Sequence, residues 1–544
     1  MIHFSMMHKK THSATGYFRP VPQPEPSLPD LLLLCTAHPE DVFLRSFLLE
    51  KILDEEANKQ SRISTSDFFL YALKEARKAA GIPDSPETSA AEGQSPLAYM
   101  RIPMDPEKHR WIQILHKNIF NLHIPEHKEI QELHKTLLTG PKLPEMPVPI
   151  EKIPILSIPC PPLPSPMDVF YAAMERMNDQ NIPIGSEKRH KASLSPIALL
   201  REWDLDREVS VPGYTHRLTG TQTSYGRGLS LEQARVACLM EAAERITAFG
   251  GVHSGEISLR LRKTPIQKAS LSELKKKGIA ALNPNTLLLE APMPDTALWW
   301  MPGERITSSG TENCLVPVQC VLLFANLPES QLFTALGSTG LAAGASEEGA
   351  RLAALLEVLE RDAEATMPHT PKNCFRIHSS TPEVHALLQC YEQESIYPFF
   401  EDITTEFGIP AYRCLVVGKG GEVIRGTGAH LCGKKALLSA LTETPWPLPG
   451  PPSQKPDSRM PLRNLENLPD FSTDNPAADL KRIEHCLLAN GYSPIHVPLT
   501  RTDLRIPVVR SIIPGLEILG DFDRFSTINQ RLFTRYQHLF NKNT

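Results

Sequence analysis

Apolar residues recur at helical spacing in three stretches of the first quarter of the chain. "PEDVFLRSFLLEKILDEEANK" (39–59) has such a face. "TSDFFLYALKEARKAAG" (65–81) opens on a Ser or Asp cap and closes at Gly81, and a third stretch covers roughly 107–140. Residues 82–96, rich in Pro, Ser and Glu, read as a loop. The pattern predicts a small helical domain over 1–140. Further on the periods mix. "LFTALGSTGLAAG", "CLVVGKGGEVIRGTG" and "RIPVVRSIIPGLEILG" carry β-branched runs bounded by Gly and Pro, which predicts strands. The middle one reads as a hairpin turning at "GKGG". A phosphate-cradling glycine loop would need a helix at once, and "EVIRGTG" continues as strand. The expected class is α+β, with helices laid on sheets.

One helical pattern occurs twice. "GLSLEQARVACLMEAAER" (228–245) and "GASEEGARLAALLEVLER" (344–361) align without gaps. Ser230 and Ser346 stand where an N-cap belongs, and Glu232 and Glu348 follow in the first turn. Ala234 and Ala237, like Ala350 and Ala353, form a small-residue stripe leading to Glu241 and Glu357, which leaves room for a close approach to the backbone. A third, weaker copy, "GKKALLSALTETPWPLPG" (433–450), aligns Glu443 with Glu241 and is stopped by Pro445 and Pro447.

Between these regions, ten of the fifty prolines crowd into residues 141–166, an extended connector whose Ile and Leu residues suit contact with a domain. The division expected is therefore 1–140, the linker 141–166, and a second domain over 167–535. A net charge of -5 on 544 residues gives no electrostatic case for nucleic acid or an anionic membrane. "LLLL" (31–34) lies in a run too short to cross a bilayer. The start of the chain lacks the apolar run of a secretory signal, and the ten cysteines form no Cys-x-x-Cys pair. A cytoplasmic protein with buried thiols is the expectation, Cys238 included. His109, His116, His123, His127 and His134 suggest a metal, but Pro125 breaks the helix that would pair His123 with His127, so ordinary histidines are preferred.

The chemistry concentrates at the helix ends. Glu241 and Glu244 are three apart, Glu357 and Glu360 repeat them, and Arg245 and Arg361 follow. One copy alone is a solvated Glu–Arg ladder worth a few tenths of a kcal/mol, about the value of an exposed pair. Two copies facing across a cleft would bring together four carboxylates and two guanidiniums. That set suits magnesium, which takes oxygen ligands, and a polyphosphate gripped by arginine.

With "STGLAAGASEEGARLAALLEVLERDA" and "GTGAHLCGKKALLSALTE" following "GRGLSLEQARVACLMEAAER" in that order, the chain resembles the YcaO superfamily over roughly 168–520. "LVPVQCV" (315–321) and "IPVVRSIIPGLE" (506–517) sit where that family places similar strands. The resemblance implies a YcaO-like domain of internally repeated helix-on-sheet units, holding ATP and Mg2+ between the Glu-rich helices. It implies Glu241, Glu244, Glu357 and Glu360 at the metal–triphosphate and Arg361 on phosphate. Arg227 stands where a lysine of "GKG" is usual, and Ser224 is a weaker candidate at the same turn. Implied activities are phosphorylation of a peptide backbone amide, leading to cyclodehydration or thioamidation, or an accessory role in methylthiolation. The implied partners are a peptide or protein substrate and a TfuA-like or methylthiotransferase protein; a homodimer is compatible. No catalytic nucleophile is named. The pattern departs at Ala237, Ala345, Gly349, Trp446 and Leu448, which replace polar residues, and the ending "FTRYQHLFNKNT" lacks the proline-rich tail of many azoline-forming members. Those departures support an alternative, a degenerate YcaO-like fold that binds a peptide or partner without turnover.

Overall fold

Ile2 and Phe4 alternate toward a core, and the chain begins as a sheet. β1 (Ile2–Lys10) and β2 (Gly16–Pro22) form an antiparallel hairpin, and β1 runs parallel to a distant strand, Ile2 opposite His216 and Ser5 opposite Thr219. The helical domain expected over 1–140 is corrected at its first strands: Ile2, Phe4 and Val21 are buried with Leu218 and Trp203, so long-range pairing decides the conformation. The computed structural model describes residues 2–10, 16–38, 41, 44–45, 47–49, 51–52, 70, 72–74, 106–126, 129, 146–160, 162–191, 193–211, 214–253, 256–259, 262–289, 293–324, 327, 329, 332, 337–518 and 528–541. Helix α1 (Leu28–Ala37) starts at Ser27 and buries Leu31 and Cys35 in the same cluster. Most of the helices expected over 39–59 and 65–81 lies outside the described residues; Leu44, Leu48, Leu49, Ile52 and Leu73 are helical and buried. The third is α2 (Pro106–Asn121), ended by Leu122 at φ 56°; His127 and His134 lie outside the described residues.

The linker lies against the protein, as its apolar residues suggest. Ile150 and Ile153 are buried beside Phe407, Ile409 and Ile483, and the Ile150 amide donates to the Phe407 carbonyl at 2.7 Å. Capped by Ser165, α3 (Pro166–Asp179) follows.

Three sheets then each carry one helix of the repeated kind. The long hairpin β3 (Ile197–Val211) and β4 (Tyr214–Gly228) joins β1 and β2 and supports α4 (Leu231–Ala248). A second sheet has the order β6–β5–β12–β13–β7, from β5 (Leu298–Thr307), β6 (Gly310–Pro317), β7 (Leu341–Ala343), β12 (Ile495–Pro498) and β13 (Val508–Ile512). On it lies α5 (Glu347–Thr366). The third sheet includes β8 (Cys374–His378), β9 (Phe399–Asp402), β10 (Ala411–Val417) and β11 (Val423–Ala429). It supports α6 (Gly433–Glu443). β10 and β11 are the hairpin read from "CLVVGKGGEVIRGTG".

Both expected N-caps are made: Ser230 Oγ accepts the Gln233 amide at 3.3 Å, and Ser346 Oγ the Gly349 amide at 3.0 Å. The approach that the small-residue stripe permits is made by the protein's own strands. A Cβ on Gly226 of β4 would lie 2.0 Å from the Ala234 carbonyl oxygen, and one on Gly428 of β11 2.3 Å from that of Ala436. Ala237 and Ala353, one turn on, are exposed. Behind α5 pack α7 (Pro476–Ala489) and α8 (Gln530–Asn541); α8 meets α2 through Trp111, Phe533 and Tyr536.

Candidate active site

The ends of α4 and α5 bring the glutamates of both copies within electrostatic reach of each other. Backbone amides of the supporting strands aim two of them: Tyr225 N donates to Glu241 Oε2 at 3.0 Å, and Ala429 N donates to Glu360 Oε2 at 3.1 Å. Thr427 Oγ1 adds a bond to Glu360 Oε1 at 3.2 Å. Arg245 lies 3.0 Å from Glu244 and 3.7 Å from Glu241. Arg361 reaches Glu360 at 3.4 Å and donates to Glu364 at 2.9 Å. Among the described residues no three of these carboxylates come within 4.8 Å of one another, so they ring the cleft without converging on one point.

Their electrostatics are those of a site short of positive charge. Burial, together with Glu357 and Glu241, holds Glu244 well above the ordinary carboxylate range against the pull of Arg245. Burial likewise raises Glu241 and Glu357, and raises Glu360 to about 7 despite Arg361. Glu364 goes the other way: Arg361 and Arg425 overcome its burial and hold it at about 2. Buried donors are left over as well. Among the described residues Arg227 Nε and Arg510 Nε are buried without a hydrogen-bond acceptor, while Arg245 Nη1 is ion-paired with Glu244. Carboxylates that resist ionising beside incompletely paired guanidiniums fit a hard cation bridged to an anionic ligand.

The remaining candidates divide. Arg227 pairs with Glu443 of α6, placing the third copy's glutamate at the same cleft, where it acts on both Glu241 and Glu360. Ser224 is not brought in. It is buried, and its hydroxyl accepts the Trp203 indole N–H at 3.0 Å, because it sits on the opposite face of β4 from Arg227 and Tyr225. Residues not singled out from sequence also line the site. Arg510 of β13 acts on Glu357 and Glu244, and the His190 ring lies tilted against that of Tyr225, centroids 5.1 Å apart. Glu443 had a signal in its alignment with Glu241; Arg510 sat unremarked in "IPVVRSIIPGLE", and His190 has no local signal.

The departures from the family pattern have structural places. Trp446 is buried, its indole donating to the Pro451 carbonyl at 3.2 Å, and Leu448 packs on the same core. Gly349 lies in the first turn of a regular α5, so Glu348 is not rotated into the cleft and stays exposed. Cys238 is buried, and burial pushes its thiol up to about 12, as an inert packing residue requires. Two other polar groups are closed. Arg413 already holds Glu401 at 2.6 Å within the His369, Cys374 and Glu401 cluster. Ser511, His496 and Glu484, hydrogen-bonded in series, are all buried.

Comparison with known proteins agrees with this architecture. Residues 225–445 match the family model described as YcaO cyclodehydratase, ATP- and Mg2+-binding. An uncharacterised protein of Methanothermobacter thermautotrophicus is 25% identical, the match covering 54% of this chain and 82% of that one. The fold is similar to that of a heterocyclase solved in complex with substrate and cofactor, at a TM-score of 0.54 and 20% identity. That similarity covers 71% of this chain and 57% of the heterocyclase, so the chain spans little more than half of that protein's length. YcaO from Methanopyrus kandleri, bound with AMPPCP and Mg2+, matches at a TM-score of 0.46 and 18% identity, over 67% of this chain and 95% of that one. The cofactors expected from the sequence, ATP and Mg2+, are those of the matched family. No helix among the described residues is long and apolar enough to cross a membrane.

Proposed function

We propose that this chain binds ATP with Mg2+ and activates a backbone amide of a peptide or protein substrate by phosphorylation. Glu241, Glu244, Glu357 and Glu360 would hold Mg2+, and Arg245, Arg361 and Arg227 the phosphates. Bound there, the nucleotide supplies a phosphoryl group that turns a poor amide oxygen into a leaving group. The chain's own residues position and neutralise: carboxylates fix the cation, and the guanidiniums meet the negative charge that remains. The observation that carries the reading is the approach of Glu244 and Glu357 from two different helices, both held above their ordinary range by burial, with Glu357 adding its repulsion at Glu244. A purely structural Glu–Arg ladder would pair its charges and lower those values. Downstream outcomes in this class are cyclodehydration, thioamidation or support of a methylthiotransferase, with a TfuA-like protein as one kind of partner.

Titration of Mg-ATP into the purified chain, then into Glu244→Gln and Glu360→Gln, tests the reading. Each charge-assisted contact is worth about 1.5–3 kcal/mol, so each variant should bind about 10- to 150-fold more weakly. Wild-type protein that ignores millimolar nucleotide ends the proposal. A second reading, a partner-binding module without turnover, is favoured by one observation: Arg227 is engaged by Glu443. Nucleotide-independent capture of a purified candidate partner, with ATP hydrolysis at background, would select it.

A further inference from the structure

Helix α2 precedes the proline-rich linker and lies outside the matched residues 225–445, yet it touches the charged network around Arg361 of the second repeated helix. The Arg425 guanidinium lies over the Phe120 ring, 3.7 Å from its centroid. Arg425 Nε donates to Glu364 Oε1 at 3.2 Å, and Glu364 Oε2 accepts Arg361 Nη1 at 2.9 Å. Arg361 Nη1 also reaches Thr427 Oγ1 at 3.3 Å, the hydroxyl that donates to Glu360. The residue two before Phe120 makes a second connection. Asn118 Nδ2 donates to the His369 carbonyl at 3.1 Å, and Asn118 Oδ1 accepts the His369 amide at 2.9 Å. His369 and Arg413 share Glu401, and Arg413 Nη2 donates to the Glu364 carbonyl at 3.1 Å.

Three guanidiniums, those of Arg361, Arg413 and Arg425, act on Glu364. Arg413 is held by Glu401, while Arg361 and Arg425 both bond to Glu364 and repel each other. The electron-rich face of an aromatic ring attracts a cation without adding a carboxylate that would compete for Arg361. Phe120 therefore holds the Arg425 guanidinium while its Nε bonds Glu364 Oε1, and Glu364 Oε2 stays with Arg361.

We propose that α2 is a positioning element of the nucleotide site: Phe120, acting through Arg425 and Glu364, sets the direction of the Arg361 guanidinium, so the segment before the linker governs triphosphate affinity. This rests on Arg361 as a phosphate ligand, as proposed above. The experiment uses the full chain and Mg-ATP, with Phe120→Leu, Phe120→Trp, Arg425→Met and the double variant Phe120→Leu/Arg425→Met, each followed by calorimetric binding and thermal melting. Phe120→Leu keeps an apolar side chain, and Trp111 with Phe533 keeps α2 docked, but the ring face is lost. It should weaken Mg-ATP about three- to thirtyfold, the span of a partly to fully desolvated cation–ring contact, with Phe120→Trp restoring affinity. Phe120→Leu should add nothing in the Arg425→Met background, which a merely structural role would not produce. Wild-type affinity in Phe120→Leu, or full additivity in the double variant, overturns the proposal alone. Failure of the wild type to bind overturns the nucleotide reading and this proposal with it.

Discussion

A single carboxylate shows what the cleft stores. Glu360 is aimed by the Ala429 amide and Thr427 and flanked by Arg361, yet burial raises it to about 7. An acid raised on folding binds its proton more tightly in the native state, so its stabilising contribution is present below the unfolded value and fades as pH climbs through the folded one. For Glu360 that window runs from 4.5 to about 7, and Glu241, Glu244 and Glu357 have the same sign. Glu364, lowered to about 2, does the opposite: its contribution is whole above 4.5 and is lost only as pH falls toward 2. Metal-free protein should therefore melt at a lower temperature near pH 7.5 than near pH 5.5, values chosen to straddle about the upper end of that window. Glu360→Gln should flatten the slope, and Mg2+ should restore stability most at the higher pH, since a cation competes with the proton. Melts in EDTA and in Mg2+ at both pH values check this; a metal-free melting temperature that rises with pH would show that the cleft is already charge-balanced.

At the scale of elements, the repeat was legible because its signals are local. Ser230 and Ser346 precede an apolar period and cap as expected, and Pro445 and Pro447 lie just beyond the end of α6. The purpose of the alanine stripe was not legible, since the strand glycine that fills it belongs to a different element. Gly226 meets Ala234 backbone, which cannot rotate away as a side chain could. Gly226→Ala should cost at least the upper part of the roughly 1–3 kcal/mol typical of overpacking. Gly337→Ala, whose added Cβ meets nothing within 4 Å, should stay within about 0.5 kcal/mol. Denaturant midpoints of the two variants make the comparison; equal midpoints would mean that α4 can slide off β4 without penalty.

Across the whole molecule, the parts that sequence left hidden are those joined by charge over long separations. Nothing near Asp362 announces that it will meet Arg531, or that Arg531 will also reach Glu406 at 2.7 Å, all three buried or nearly so. Nor does the linker pattern reveal that α2 and α8 would pack together behind α5. The expected division at 141–166 marks a change of composition, while the contacts run across it from both sides. Arg531 ties this outer layer to the back of the helix that carries Glu360 and Arg361. Arg531→Met would leave Asp362 and part of Glu406 buried without a cation, a loss of about 3–5 kcal/mol. Arg535, which also holds Glu406, limits the damage on that side, so Asp362 should account for most of it. Adding Asp362→Asn to Arg531→Met should then recover stability, because the orphaned charge goes with its partner. Chemical denaturation of the single and double variants decides it. A double variant no more stable than Arg531→Met would assign the loss to the packing of α8 and not to the buried ion pair.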